Sequence, residues 1–262
     1  MSQRLDLAMV ERGLAPTRSK AQALIMAGVV LVDDRPSLKA GEQVKDTTLI
    51  SLIAPPRFVS RGGEKLDRAM TEFEIDLTGK VCADIGASTG GFTDVMLQRG
   101  AASVFAIDVG YGQIALELRN DPRVVVMDRT NARYLETLPM SVAFTAIDAS
   151  FISLAKLFPA VTRISSPEAT LIALIKPQFE AGKGEVGKNG VVRDNSVHIR
   201  ILQEVVASAE ANDMQLAGLI PSPVKGPAGN IEFLGYFKIE PDSKNHLSLD
   251  AMIDQAIAGA PA

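Results

Sequence analysis

The chain has 262 residues, of which 47% are hydrophobic and 22% charged, enough for two compact domains with buried cores, which excludes global disorder. A formal net charge of -4 excludes a uniformly basic nucleic-acid binder, so any such contact must come from local patches. Cys82 is the single cysteine, which excludes an intrachain disulfide and a cysteine-built zinc site, and no stretch reaches the roughly 18 consecutive apolar residues of a membrane span.

The opening residues MSQRLDLAMVERG carry charges every few positions and lack the apolar segment of a signal peptide. The expectation is a soluble, cytoplasmic protein with no membrane partner and no metal. Residues 4–11 read as a short helix, and residues 20–27 as a second one with Thr17 or Ser19 as its N-cap and Gly28 as its C-cap glycine. Residues 29–32 follow as a strand, 33–36 as a turn and 48–52 as a closing strand. This makes a small α+β unit ending at Pro55-Pro56. The division expected is a first domain over 1–54, a linker over 55–64, a larger domain over 65–250 and a tail over 251–262.

Past the prolines, strands and helices alternate. Residues 81–85, 103–107, 124–127, 141–147 and 170–175 are apolar runs ending near a polar residue, with helices at 91–99, 113–119 and 197–211. Two later strands are expected at 214–220 and 231–239. Continuous apolar strands alternating with helices predict an α/β fold, a Rossmann-like, doubly wound and mostly parallel sheet. The Gly/Lys-rich segment 176–193, with Lys183, Lys188 and Arg193, is longer than an ordinary connector and reads as a functional loop.

The first strand of the sheet runs into Asp84-Ile-Gly-Ala-Ser-Thr-Gly-Gly-Phe92. Gly86, Gly90 and Gly91 permit close approach of a ligand to the backbone, at the carboxyl ends of strands where doubly wound sheets bind theirs. Their spacing is neither the dinucleotide GxGxxG nor the phosphate-binding GxxxxGK[ST]. Asp108 ends the second strand roughly 20 residues after Gly86, at the distance from which an acid accepts from ribose hydroxyls. Met127 and Asp128 end the third strand and are suited to frame an adenine ring. Acids at successive strand ends, without a phosphate cradle, suit a nucleoside bearing sulfonium and ammonium groups better than one bearing a pyrophosphate.

Two further strand ends carry charge, Asp148 in Ile147-Asp-Ala-Ser-Phe and Lys176 in Leu174-Ile-Lys-Pro-Gln-Phe. A lysine buried beside a carboxylate is easily displaced in pKa, and a neutral amine can take the proton of an attacking hydroxyl. Lys65, in a loop with Arg61, and Glu232, opening a late strand, are the remaining candidates. Taken singly, Lys65 and Glu232 read equally as solvent-facing charges and Asp148 as a helix N-cap.

Ser60-Arg-Gly-Gly-Glu-Lys65, Asp84 through Thr93, Asp108-Val-Gly-Tyr-Gly-Gln113, Asp148 through Ser153, Lys176-Pro-Gln-Phe-Glu180 and Gly229-Asn-Ile-Glu232 together resemble the TlyA family of ribosomal RNA ribose 2'-O-methyltransferases, often labelled hemolysin A. That part of the chain is similar to the FtsJ/RrmJ group. The resemblance implies a class I methyltransferase using S-adenosyl-L-methionine and acting on cytidines of 23S or 16S rRNA. It implies a tetrad of Lys65, Asp148, Lys176 and Glu232, with Lys176 as base, Asp148 and Lys65 orienting it and Glu232 holding the ribose. The cofactor pocket would comprise Asp84, Gly86, Ser88, Thr89, Gly90, Gly91, Phe92, Asp108, Val109, Met127, Asp128 and Asp148. Residues 4–33 resemble the S4 RNA-binding domain, which implies ribosomal subunits as partners. Arg18 and Lys20, beside a helix N-terminus, together with Arg4 and Arg61, are the expected RNA-binding residues, and Arg12 and Arg35 could extend that patch. The alternatives are a small-molecule methyltransferase, a membrane-damaging hemolysin, and an assembly factor on an inactive methyltransferase fold.

Overall fold

The computed structural model describes residues 2–26, 28–53, 57–182, 184–226, 228–239 and 248–261. Pro55-Pro56, Ala27, Lys183, Ala262 and the side chain of Lys188, on which the sequence reading put a linker, a helix end, part of a cationic loop and the last residue of the tail, lie outside the described residues. The chain divides into two compact units, Met1–Arg57 and Phe58–Ala262.

In the first unit β1 (Ser2–Arg4) runs directly into α1 (Leu5–Glu11), so Arg4 ends a strand instead of beginning the helix. Helix α2 (Arg18–Met26) is capped by Thr17, whose hydroxyl accepts from Lys20 N at 3.2 Å, and Gly28 closes it at φ 72°. β2 (Val30–Val32) and β3 (Arg35–Pro36) form a hairpin about Asp33 and Asp34, both at positive φ as a two-residue turn requires. The turn is therefore shorter than the four residues expected. β4 (Gln43–Lys45) pairs with β1, and β5 (Ile50–Leu52) with β2. Leu5, Ala8, Met9, Ala21, Ile25, Val30 and Val44 make the small core.

The second unit opens with α3 (Gly62–Glu72), where a linker and a loop were expected. Its buried positions, Lys65, Leu66, Ala69 and Met70, recur at helical spacing and fix one face toward the sheet. Lys65 is thus a helical residue, not a loop residue. Then come β6 (Val81–Ile85), α4 (Gly91–Gln98), β7 (Ser103–Ile107), α5 (Leu116–Arg119), β8 (Val124–Met127), β9 (Val142–Ile147), α6 (Phe158–Ile164) and β10 (Ser165–Ile175). They are followed by α7 (Pro177–Glu180), α8 (Asn195–Glu210), β11 (Met214–Pro221), β12 (Phe233–Ile239) and α9 (Leu249–Ala258). Helix α5 is shorter than expected, and Glu232 stands just before β12, not inside it. Helix α9, in the expected tail, buries Ile253 and Ala256.

The seven strands lie in the order β11-β12-β10-β9-β6-β7-β8, with β12 antiparallel to both neighbours and the pairs from β10 to β8 parallel. Successive strand residues serve opposite faces. Cys82, Val104, Phe144 and Leu174 pack under α3, α4 and α5, while Ala83, Phe105, Ile147 and Phe237 pack under α6, α8 and α9. The result is a three-layer class I methyltransferase fold, with strand order reversing at β6 and β9. The crevice between their carboxyl ends is where such sheets bind ligands.

Candidate active site

The glycine loop leaves β6 at that reversal. Gly86 has φ 87°, and a Cβ there would lie 2.7 Å from the carbonyl oxygen of Asp148, at the end of β9. Only glycine lets the two strand ends approach this closely. Asp84 is wholly buried and does not face the crevice. Its Oδ2 accepts from Thr93 N at 2.8 Å and from the Thr93 hydroxyl at 2.6 Å, while Oδ1 has no partner among the described residues. Burial pushes its pKa up to about 7 against the two Thr93 hydrogen bonds, and the charges of Asp148 and Asp108 add to the rise.

At the end of β7, Asp108 accepts from Ser88 N at 2.8 Å and from Gly110 N at 2.6 Å, so it ties the glycine loop to the following turn. Val109 beside it is 69% exposed, an open apolar surface. At the end of β8, Asp128 pairs with Arg119 at 3.0 Å. Asp84, Gly90, Asp108, Val109, Met127 and Asp128 all lie outside the main cavity, a pocket of about 730 Å³. Gly86, Ser88, Thr89, Gly91, Phe92 and Asp148 line it, together with Arg61, Lys65, Lys176 and Glu232.

Two ion pairs share this cavity. Lys176 Nζ, at the carboxyl end of β10, lies 2.6 Å from Asp148 Oδ1 and donates to Ser150 Oγ at 2.9 Å. Lys65 Nζ donates to Glu232 Oε2 at 2.6 Å. Lys65, Lys176 and Glu232 are buried, so the reading of Lys65 and Glu232 as solvent-facing charges fails, and Asp148 keeps 24% of its side chain exposed. Asp148 caps no helix among the described residues; its carboxylate goes to the lysine. Ionic groups this close in a cleft orient one another and govern where a proton can go. The remaining oxygen of Glu232 is met weakly by Gln178 Nε2 at 3.4 Å. It sits 2.5 Å from where a Cβ on Gly226 would be, so that glycine makes room for the carboxylate.

Sequence reasoning missed three contributors. Ser150 and Gln178 sit inside motifs quoted above, but nothing in their spacing marks them as partners of a lysine and a glutamate. Asn230, 1% exposed, accepts from Val192 N at 3.0 Å and donates to Gly190 O at 2.9 Å, pinning the end of the long loop beside Glu232.

In the first unit, Lys20 is exposed at the first turn of α2, and Arg4 and Arg18 both reach the carboxylate of Asp6, at 3.0 and 2.9 Å. Arg12 is engaged by the fold. Its guanidinium donates to the backbone oxygens of Thr48, Lys45 and Asp46 and serves the fold. Arg35 is exposed.

The FtsJ-like methyltransferase family model matches residues 58–238, and the S4 domain model residues 3–50. The chain is 44% identical to the 16S/23S rRNA (cytidine-2'-O)-methyltransferase TlyA of Mycobacterium tuberculosis, over 98% of both chains. It is 39% identical to the protein named hemolysin A in Brachyspira hyodysenteriae, over 90% of this chain and 100% of that one. A solved structure from Streptococcus thermophilus that also carries the hemolysin name shares 40% identity and a TM-score of 0.75, over 98% of this chain and 96% of that one. Among the described residues no helix is long and apolar enough to cross a membrane, and no group of His, Cys, Asp and Glu could hold a metal ion.

Proposed function

The chain belongs to the TlyA branch of the FtsJ-like methyltransferases, with an S4 domain ahead of the catalytic one, and from that premise we propose that it methylates the ribose 2'-hydroxyl of cytidines in ribosomal RNA. The observation that carries the reading is the Lys176–Asp148 pair, 2.6 Å apart, with the lysine buried, lining one cavity with the glycine loop. S-adenosyl-L-methionine, when bound, supplies an electrophilic methyl on a sulfonium.

The residues that would hold that cofactor are Gly86 through Phe92, the close-approach loop on the cavity, with Asp108, tied to Ser88 and Gly110, and Asp128, paired with Arg119, at the neighbouring strand ends beside Val109 and Met127. The cofactor assignment, the tetrad of Lys65, Asp148, Lys176 and Glu232, and the RNA contacts of Arg4, Arg18, Lys20 and Arg61 are parts of one proposal. So is the division of labour between an RNA-docking segment, 1–54, and a catalytic segment that begins beyond the linker 55–64 and runs to 250.

Lys176 Nζ is placed to take the proton of a ribose 2'-hydroxyl, and S-adenosyl-L-methionine, when bound, would supply the methyl and release its sulfur as the departing thioether. The proton ends on Nζ, and Asp148 stabilises the ammonium so formed, while Ser150 Oγ holds the amine's direction. Glu232, steered by Lys65, accepts from a ribose hydroxyl and sets the sugar for in-line approach at about 3–3.5 Å. The positive wall formed by Arg61 at the cavity rim attracts the phosphate of the incoming nucleotide.

The test is incubation with tritiated S-adenosylmethionine and, separately, 30S subunits, 50S subunits and intact ribosomes, with Lys176→Ala as control. Label at a ribose 2'-oxygen, lost in the control, is the expected result and identifies the subunit. Absence of label on every substrate, with calorimetry showing the cofactor bound, overturns the reading.

A further inference from the structure

Asp6, in the first turn of α1 beside the buried Leu5, is a carboxylate with no exposed surface, covered by the side chains that bond it. Four donors converge on it. Arg4 Nε donates to Oδ1 at 3.0 Å and Arg4 Nη2 to Oδ2 at 3.0 Å; Arg18 Nε and Gln22 Nε2 donate to Oδ2 at 2.9 and 2.8 Å. A buried ion-pair network of this kind is poor evidence of stabilisation, because an apolar side chain of similar volume often serves as well. What the carboxylate supplies that an apolar group cannot is direction. It holds two guanidiniums, one from the end of β1 and one from the start of α2, on a single point.

Both arginines stay open to solvent, with side chains 40% and 52% exposed. Among the described residues, Arg4 Nη1 and both Nη atoms of Arg18 make no hydrogen bond, while Lys20 is exposed in the same first turn of α2. Two guanidinium forks locked at their inner edges and free at their outer ones match the oxygens of a nucleic-acid phosphate.

We propose that Asp6 is a positioning residue that presets Arg4 and Arg18 as one phosphate clamp for the RNA backbone. The inference rests on the reading that the first unit docks ribosomal RNA. It predicts a sign opposite to simple charge counting. Asp6 brings a negative charge into a cationic patch, so if it acted by charge alone its removal would tighten RNA binding. If it presets the arginines, its removal frees two long side chains that must then be ordered at each binding event, and binding weakens.

The experiment measures co-sedimentation of the full chain with 30S and with 50S subunits across a salt series, so that it does not depend on methyl transfer. The proteins are wild type, Asp6→Asn, Arg4→Ala and Arg18→Ala, each with a thermal melt to show that the first unit is folded. Expected is an affinity loss of about tenfold for Asp6→Asn, with a shallower salt dependence and unchanged cofactor affinity. A merely structural role would change the bound fraction and the melt but leave the salt slope of the folded protein alone. Equal or tighter binding by folded Asp6→Asn, with both arginine variants weakened, overturns the inference and leaves the RNA reading standing. Wild type that sediments with neither subunit, or arginine variants that bind like wild type, removes that reading and the inference with it. Should Asp6→Asn not fold, 15N relaxation of arginine Nε–H groups in the wild-type chain decides. Arg4 and Arg18 as rigid as the backbone support the clamp, and mobility equal to that of Arg35 overturns it.

Discussion

Replacing Lys65 by Met should destabilise the catalytic unit more than replacing its partner Glu232 by Gln. At 2.6 Å the pair attracts by about 6 kcal/mol at an effective dielectric of roughly 20, but each ion has also lost several kcal/mol of hydration. Removing one member leaves the other charge stranded, at a cost of about 3–5 kcal/mol. The two sides are not equivalent. Glu232 keeps 1% of its side-chain surface and pairs with no other cation among the described residues, whereas Lys65 keeps 10% and faces the cavity, where water can reach it. The loss should therefore sit at the upper end, about 5 kcal/mol, for Lys65→Met and at the lower end, about 3 kcal/mol, for Glu232→Gln. For a unit of this size that means a fall in Tm of about 10–20 °C against about 6–12 °C. The double variant should lie above the sum of the singles by at least about 2 kcal/mol, because no stranded charge remains. Calorimetric and urea unfolding of the four proteins give the cycle, and methyl incorporation into subunits gives activity, which stays lost in all three variants. Additive losses within about 0.5 kcal/mol, or equal melts for the two singles, would refute the reasoning.

Gly86→Ala forces a left-handed backbone on alanine and drives its Cβ into the Asp148 carbonyl, so a loss of about 2–4 kcal/mol and weakened cofactor binding are expected; a melt within about 0.5 kcal/mol of wild type contradicts that geometry. Gly226→Ala should displace Glu232 without opening the core, raising KM for subunits while the cofactor Kd holds, and an unchanged KM argues against Glu232 as the ribose-holding group. Asp84 gives a pH dependence whose sign is fixed. Its folded pKa of about 7 lies above its unfolded value near 4, so the native state binds the extra proton, and stability falls as pH rises between those values. Asp84→Asn keeps an acceptor for Thr93 and cannot ionise. The wild-type melt should drop from pH 5 to pH 8 relative to this variant, and parallel melts would show Asp84 ionised throughout.

The strands and the glycine loop were legible because they announce themselves locally: apolar runs of strand length, each closed by a polar residue, and glycines placed where a strand must turn. Helix α3 was hidden by Gly62 and Gly63, whose poor helix propensity makes Ser60-Arg-Gly-Gly read as a loop. Leu66, Ala69, Met70 and Phe73 at helical spacing were the signal that outweighs it. Helix α6 was missed because Pro159 looks like a breaker, although in the first turn of a helix it is favourable. β1 and β4 are three residues each and mostly solvent-facing, with no period to detect. The four proposed tetrad positions came from the family resemblance, but which lysine meets which acid depends on the sheet. Asp148 and Lys176 end neighbouring parallel strands, whereas Lys65 reaches Glu232 across 167 residues of sequence. The burial of Asp84 away from the crevice was not legible, since nothing in the chain before Thr93 shows that a helix will turn back to claim its carboxylate.

The antiparallel entry of β12 makes strand register a determinant of chemistry. Glu232 stands one residue before the strand, and Phe233 pairs with Ile175, the residue before Lys176, so a slip of a single position would carry the carboxylate away from Lys65. That slip would also turn Phe233 and Phe237, both wholly buried, out of one hydrophobic layer and into the space held by Leu234 and Tyr236. Two phenylalanines that touch no part of the cavity therefore act as its gauge. Mutational scans for activity should light up at these core positions even where substitutions leave the protein folded, and redesign of the pocket has to begin beneath it.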